Sequence, residues 1–238
     1  MDQKHKGETS YNYKGIGIHA AQGLHEYAIN VVLNCSPEGG RVLELGCGSG
    51  AFSKRLQDNG FITTSVDLSL DSFFLDSEKY EIDLNSNFAE KFPGKKFDAV
   101  VALEVIEHLE NPLHFLRQLK QLADSKTVVV VSFPNIHLYS SVYSFYKDGT
   151  FGNWTPSLYW ESGHQTIIPD WLFEEHLKKI GFVLKEKHFC ALFDPHVNRI
   201  KRYLHKIFFN LVCFLSKGTP PSVRANQIVL FTIGLGTG

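Results

Sequence analysis

The run Val42-Leu43-Glu44-Leu45-Gly46-Cys47-Gly48-Ser49-Gly50 joins an apolar stretch of strand length to three alternating glycines. An acid stands just ahead of the glycines and a helical stretch begins at Ala51. Glycines let the backbone bend sharply off a strand and let a ligand approach main-chain N–H groups that a Cβ would screen. The run is therefore a nucleotide-binding turn. Its spacing, Gly46-x-Gly48-x-x-Ala51, also fits the looser dinucleotide pattern, and Asp67, about twenty residues on, suits either ligand. Glu44 separates the two. A pyrophosphate on a helix N-terminus brings negative charge that a neighbouring carboxylate repels, whereas a sulfonium with an α-amino group is attracted. The turn favours S-adenosylmethionine over a nicotinamide cofactor.

A second constellation is Glu104-Val105-Ile106-Glu107-His108. If a helical turn follows a strand here, spacings of three and four place Glu104, Glu107 and His108 on one face. Two carboxylates and an imidazole suit a hard divalent ion such as Mg²⁺ or Mn²⁺. With no metal, a neutral imidazole near pH 7 can take a proton from a hydroxyl. His164 and His108 are then the candidate general bases, with His137 a third.

These residues need a scaffold of alternating strands and helices. A helix is expected over Ala20 to Cys35, then strand Val42 to Leu45, helix Ala51 to Asn59, strand Ile62 to Asp67, a short helix after Leu70 and a strand near Tyr80 to Ile82. Strand Phe97 to Leu103, helix Pro112 to Ala123 capped by Asn111, and strand Thr127 to Phe133 follow. After these come helix Asp170 to Ile180, strand Phe182 to Phe189 and strand Gln227 to Ile233. Such βα alternation predicts an α/β fold, a doubly wound, mostly parallel seven-stranded sheet. Two segments interrupt it: the aromatic stretch Asn135 to Gly163, read as a long loop and candidate substrate lid, and Asp194 to Ser216. The N-terminal Tyr11 and Tyr13 are candidates to close over the cofactor with it.

A chain of 238 residues fits one such domain. Its parts are an N-terminal helix and lid over 1–38, a cofactor-binding half over 39–134 and substrate-side insertions at 135–163 and 194–216. The net charge of −1 supplies no global field for nucleic acid or an anionic membrane. The four cysteines Cys35, Cys47, Cys190 and Cys213 form no C-x-x-C pair, and Met1 to Gly7 carries no secretory pattern. A reducing, cytoplasmic setting is expected. The longest apolar tract, Ile207 to Leu215, is too short to span a bilayer.

The blocks Glu44 to Gly50, Val66-Asp67-Leu68-Ser69, Asp83-Leu84 and Glu104-Val105-Ile106-Glu107-His108-Leu109 stand in the order found in class I S-adenosylmethionine-dependent methyltransferases, which the chain resembles from about Gly39 to Phe189. The resemblance implies that Asp67, beside Leu68, takes the ribose hydroxyls, and that Asp83 takes the adenine amino group with Leu84 against the ring. It gives the methionine part to Glu44, Gly46, Cys47, Gly48 and Gly50, with Glu104 facing it. The Glu104 block is similar to that of the small-RNA 2′-O-methyltransferases and of the ubiquinone-pathway O-methyltransferases. In the former a further His comes from a later loop, a place occupied here by His164, which implies a Glu104, Glu107, His108, His164 metal site.

The implied activity is O-methylation of a hydroxylated small molecule, or of a glycan or lipid-linked acceptor. The alternatives are a metal-assisted RNA 2′-O-methyltransferase and a cofactor-binding regulatory subunit without catalysis. Nucleic acid ranks below a small acceptor because the basic cluster Arg199, Lys201, Arg202, His205 and Lys206 is modest and no RNA-binding module is visible. That basic segment runs into an apolar one through Leu215. It reads either as a helix capping the substrate pocket or as a peripheral contact with a membrane surface or lipid.

Overall fold

Seven consecutive residues, Val128–Pro134, are buried without exception, as expected of a strand covered on both faces. The computed structural model in which they lie describes residues 11–192, 199–215 and 219–236. In chain order the elements are a hairpin of β1 (Asn12–Tyr13) and β2 (Ile16–Gly17), α1 (Leu24–Cys35), β3 (Arg41–Leu45), α2 (Ala51–Asp58), β4 (Ile62–Asp67) and β5 (Glu78–Glu81). There follow β6 (Ala99–Leu103), α3 (Pro112–Leu122), β7 (Val128–Pro134), α4 (Tyr139–Asp148), α5 (Pro156–Ser162) and α6 (Asp170–Ile180). The last elements are β8 (Phe182–Leu192), α7 (Arg199–Leu215), α8 (Pro221–Ala225) and β9 (Asn226–Leu235). Short 3-10 turns occupy Phe88–Lys91 and Ile106–His108.

The large sheet has the order β5-β4-β3-β6-β7-β9-β8. Strands β3 to β7 pair in parallel and β9 runs antiparallel to both its neighbours. The chain moves outward from β3 through β4 to β5 and then crosses back to β6, so β3 and β6 flank the topological switch point. Ligands of open α/β sheets bind beyond the carboxyl ends of the strands at such a point.

Strand alternation sends neighbouring residues to opposite faces. Leu43, Leu45, Val100, Val129 and Val131 pack with Phe115 and Leu119 of α3 and Phe173 and Leu177 of α6. Val42, Val101, Val128 and Val130 pack with Leu24, Ala28 and Val32 of α1 and Phe52 and Leu56 of α2. The Asn111 side chain caps α3 by accepting the His114 N–H at 2.9 Å, with Pro112 in the first turn. Gly181, at φ 89°, ends α6.

Two local expectations fail, and one element has no counterpart in the sequence reading. No helix follows Leu70: residues 68–77 form a turn in which the Phe73 N–H donates to the Leu70 carbonyl at 3.0 Å, and the Ser69 hydroxyl accepts the Asp71 N–H that a helix would need. The 135–163 segment is not a loop but carries α4 and α5, the latter started by Pro156 and capped by Thr155. Its aromatics at 139, 143 and 146 follow helical spacing. The hairpin was missed because two-residue strands have no measurable period; its Lys14-Gly15 turn takes positive φ at both positions, 51° and 87°. Of the second insertion, 194–198 and 216 lie outside the described residues, as do Met1 to Gly7 and the side chains of Arg199, Lys201, Arg202 and His205.

Phe133, Phe173 and Phe231 form a buried triad with ring centroids 4.6 to 5.5 Å apart, locking α6 onto β7 and β9. Replacing Phe231 with Ala is expected to cost about 3–5 kcal/mol of stability, read from the urea midpoint at constant slope. A loss well below that range would mean the triad is not part of the cooperative core.

Candidate active site

A cleft of about 490 Å³ opens at the carboxyl ends of β3, β4, β5 and β6. Its walls include Glu44 in β3 with Gly46, Cys47 and Gly48 after it, Asp67 closing β4 with Leu68 after it, Asp83 and Leu84 after β5, and Glu104 and His108 after β6. Each of these was singled out from sequence. Gly50, also singled out, does not line the cleft: it is the left-handed residue (φ 90°) that starts α2, and an added Cβ there would meet the Phe73 ring at 2.9 Å.

The turn is fixed by few bonds. The N–H groups of Gly46 and Cys47 both donate to the Val66 carbonyl, at 2.8 and 3.0 Å. Gly46 has φ 76° and Gly48 φ 49°, the region that favours glycine, and a Cβ on Gly46 would run into the Val105 side chain. Asp67 spans the gap to β4: one carboxylate oxygen accepts the Gly48 N–H and the other the Leu68 N–H, both at 2.7 Å. Asp83 accepts the Asn85 N–H at 2.8 Å, which shapes the turn holding Leu84.

The other cleft acids are buried. Glu44 accepts a hydrogen bond from the Ser53 hydroxyl, itself 2.7 Å from that of Ser65. Burial pushes the Glu44 carboxyl up to about 8; the Ser53 bond opposes this and the Asp67 charge adds to it. Burial thus favours the protonated form of Glu44 near neutral pH. Glu104 has a left-handed backbone (φ 53°), its N–H donates to the Ser132 carbonyl at 3.1 Å, and its side chain accepts the Ala21 N–H at 2.8 Å. Burial lifts Glu104 to about 7. It ties the N-terminal segment across the cleft.

Glu107 is fully buried, and neither of its carboxylate oxygens has a partner among the described residues. Burial and the nearby Glu104 push its pKa well above the ordinary range. Around it, Glu107, His108 and His164 each offer a ligand atom within 4.8 Å of the others, and the two imidazole rings meet edge to face at 4.7 Å. His164 comes close because the Gln165 and Thr166 N–H groups donate to the Glu107 carbonyl at 3.1 and 3.0 Å. The Asn153 carbonyl, 2.8 Å away, takes the proton of His164 Nδ1 and leaves Nε2 as the free nitrogen. Burial, then His164, lowers the His108 pKa and keeps its ring neutral.

The structure does not bring Glu104 into this trio. The expected shared face requires residue 104 to be helical, but the 3-10 turn starts only at Ile106 and Glu104 faces Ala21. His137 is likewise elsewhere, 3.0 Å from Asp170, whose other oxygen holds Lys187. Nor does the aromatic segment close the cleft: of 135–163 only Ser162 reaches it, and no described residue of α7 does. Tyr11 and Tyr13 bond Glu26 and Asp58 instead of covering a cofactor. The residues that do enter from the N-terminal side are Gly17, His19, Ala20 and His25. His25, buried against Phe52 and lowered to about 4 by burial, carried no motif that could have flagged it.

A family model described as a methyltransferase domain matches residues 19–208. The chain belongs to that methyltransferase family. It is 36% identical over 110 residues to a mitochondrial ubiquinone biosynthesis O-methyltransferase of Arabidopsis thaliana, covering 41% of this chain and 33% of that one. It is 31% identical over 100 residues to the ubiquinone biosynthesis O-methyltransferase of Rickettsia bellii, covering 40% and 42%. The methyltransferase thus spans under half the length of either relative. A SAM-dependent methyltransferase from Archaeoglobus fulgidus superposes with a TM-score of 0.60 at 17% identity, covering 88% of this chain and 93% of that one. The magnesium protoporphyrin IX methyltransferase of Synechocystis PCC 6803 with bound SAH does so with a TM-score of 0.58 at 16% identity, covering 90% and 83%. The fold is that of S-adenosylmethionine-dependent methyltransferases.

Glu44 makes stability depend on pH. Because its folded pKa is about 8 against an ordinary 4.5, its contribution is fully present below pH 4.5 and is lost as pH rises through 8. The protein should lose melting temperature relative to Glu44→Gln between about pH 4.5 and pH 8, with no further relative loss above that. Parallel melting profiles would show that residue 44 is ionised throughout.

Proposed function

We propose that this methyltransferase carries the methyl group of S-adenosylmethionine to the hydroxyl oxygen of a small organic acceptor. The observation carrying this reading is the convergence of Glu44, Asp67, Asp83 and Glu104, from four strand ends, on one cleft beside a turn too tight for side chains. That cleft suits a cationic nucleoside. In it Asp67 receives the ribose hydroxyls, as a carboxylate can accept from two vicinal donors at once. Asp83 and Leu84 take the adenine, and Glu44 and Glu104 face the methionine part with the Gly46–Gly48 backbone. The hydroxyl acceptor is supported by the partial match to two ubiquinone biosynthesis O-methyltransferases.

Transfer is an in-line displacement. The acceptor oxygen forms a bond to the methyl carbon as the carbon–sulfur bond breaks, and the electron pair stays on sulfur to leave a neutral thioether. The acceptor proton passes to His108, which lines the cleft and is held neutral. His164, against His108, positions that ring. Most of the rate comes from alignment and from exclusion of water.

A second reading is favoured by Glu107, because a buried carboxylate with no partner is costly unless something pairs with it. Glu107, His108 and His164 fit a divalent ion as a donor set; with two imidazoles among three donors Mn²⁺ matches better than Mg²⁺, which seeks oxygen. Such an ion supplies Lewis-acid polarisation of an acceptor hydroxyl. In that case the acceptor is a diol or catechol, and His108 orients it as a ligand.

Asp67→Ala should weaken S-adenosylmethionine binding by about 2 kcal/mol or more in calorimetry; unchanged affinity would remove the ribose assignment. For the metal reading, Mn²⁺ should raise the melting temperature of the wild-type protein and leave that of His164→Ala unmoved. Equal shifts in both proteins would exclude His164 as a ligand.

A further inference from the structure

Helix α7 has two apolar faces. Phe208, Phe209 and Val212 turn inward onto Leu138, Tyr139 and Val142, closing a small satellite core against α4. A second face points outward: Leu204, Ile207, Leu211, Phe214 and Leu215, spaced by three and four residues, are 48% to 74% exposed. Interior packing is already satisfied on the other side, so this face is surplus to the fold. Exposed, contiguous apolar surface of this kind marks an interaction site.

The charge pattern says what it meets. No acid follows Asp194 in the sequence, whereas Arg199, Lys201, Arg202, Lys206 and Lys217 cluster along and just beyond α7. The chain as a whole has net charge −1, so positive charge is concentrated on this segment. An apolar stripe in a segment rich in bases and free of acids is the sequence pattern of a helix that lies in the plane of an anionic bilayer surface. Tyr203 on α7 and Tyr146 on the neighbouring α4, 66% and 90% exposed, add rings suited to the headgroup layer. Among the described residues no helix is long and apolar enough to cross a membrane.

We propose that α7 docks this methyltransferase on the surface of an anionic lipid bilayer, with the Leu204 to Leu215 stripe in the headgroup region and the excess positive charge of the segment, to which the exposed Lys206 contributes, drawing it to lipid phosphates. The proposal does not depend on the acceptor or on turnover. It also accounts for a helix none of whose described residues reaches the cleft.

The test is cosedimentation of the full chain, with no methyl donor, on phosphatidylcholine vesicles with and without phosphatidylglycerol. The protein should sediment with the anionic vesicles, far less with the neutral ones, and less as salt is raised. A Leu211→Ser, Phe214→Ser double variant should bind about tenfold more weakly or worse, while its melting temperature stays near that of the wild type. Lys206→Glu, which removes no packing, should weaken binding to anionic vesicles alone. Failure of the wild type to bind anionic vesicles at low salt would overturn the proposal, as would equal binding by all three proteins. Self-association that the double variant abolishes, without vesicle binding, would give the face to a second copy and overturn it as well.

Discussion

The cleft depends on one turn. Between β3 and α2 the chain reverses through three left-handed glycines, and the Val66 carbonyl and the Asp67 carboxylate of the next strand receive its N–H groups. Because Asp67 stabilises the turn and also lines the cleft, the fold and the binding surface share one side chain. The neighbouring β6 arrives at the same level, and Val105 occupies the space that a side chain at residue 46 would take. The ends of β3 and β6 are thereby held apart, open to a ligand, at the point where the sheet changes winding direction.

What the turn opens onto are two buried acids, Glu44 and Glu104, while Glu107 is fully buried outside the cleft lining. Burial raises all three, and Glu107 has no hydrogen-bond partner for either oxygen among the described residues. Burying charge without a partner is expensive, so such groups shed it until a cation arrives. On the proposed reading, a ligand that carries positive charge into this cleft restores the charge by displacing protons. A neutral ligand of the same shape does not. On that reading, discrimination between a sulfonium donor and its thioether product follows from the protonation of the cleft and not from shape alone.

Much of this was legible in the residues. The parallel sheet followed from apolar runs and βα spacing, since strands buried on both faces show the same pattern whatever their neighbours. The cleft lining followed from acids that close each strand, because strand ends in this topology share one edge. Three features were not legible. Whether Glu104 joins Glu107 and His108 depends on a single backbone angle, φ 53°, which no residue type announces. The helices in 135–163 are hidden by Gly149, Gly152 and Gly163, which punctuate them into loop-like pieces. The entry of His19 and His25 depends on how a hairpin outside any motif crosses the sheet edge.

The central claim, that cleft acids take up their charge to hold a cationic methyl donor, is tested most directly by calorimetric titration of S-adenosylmethionine and S-adenosylhomocysteine in buffers of different ionisation enthalpy. The account predicts that near neutral pH the sulfonium donor binds with release of protons and the neutral product binds with little release. Equal proton release by both ligands, or none by either, would contradict it.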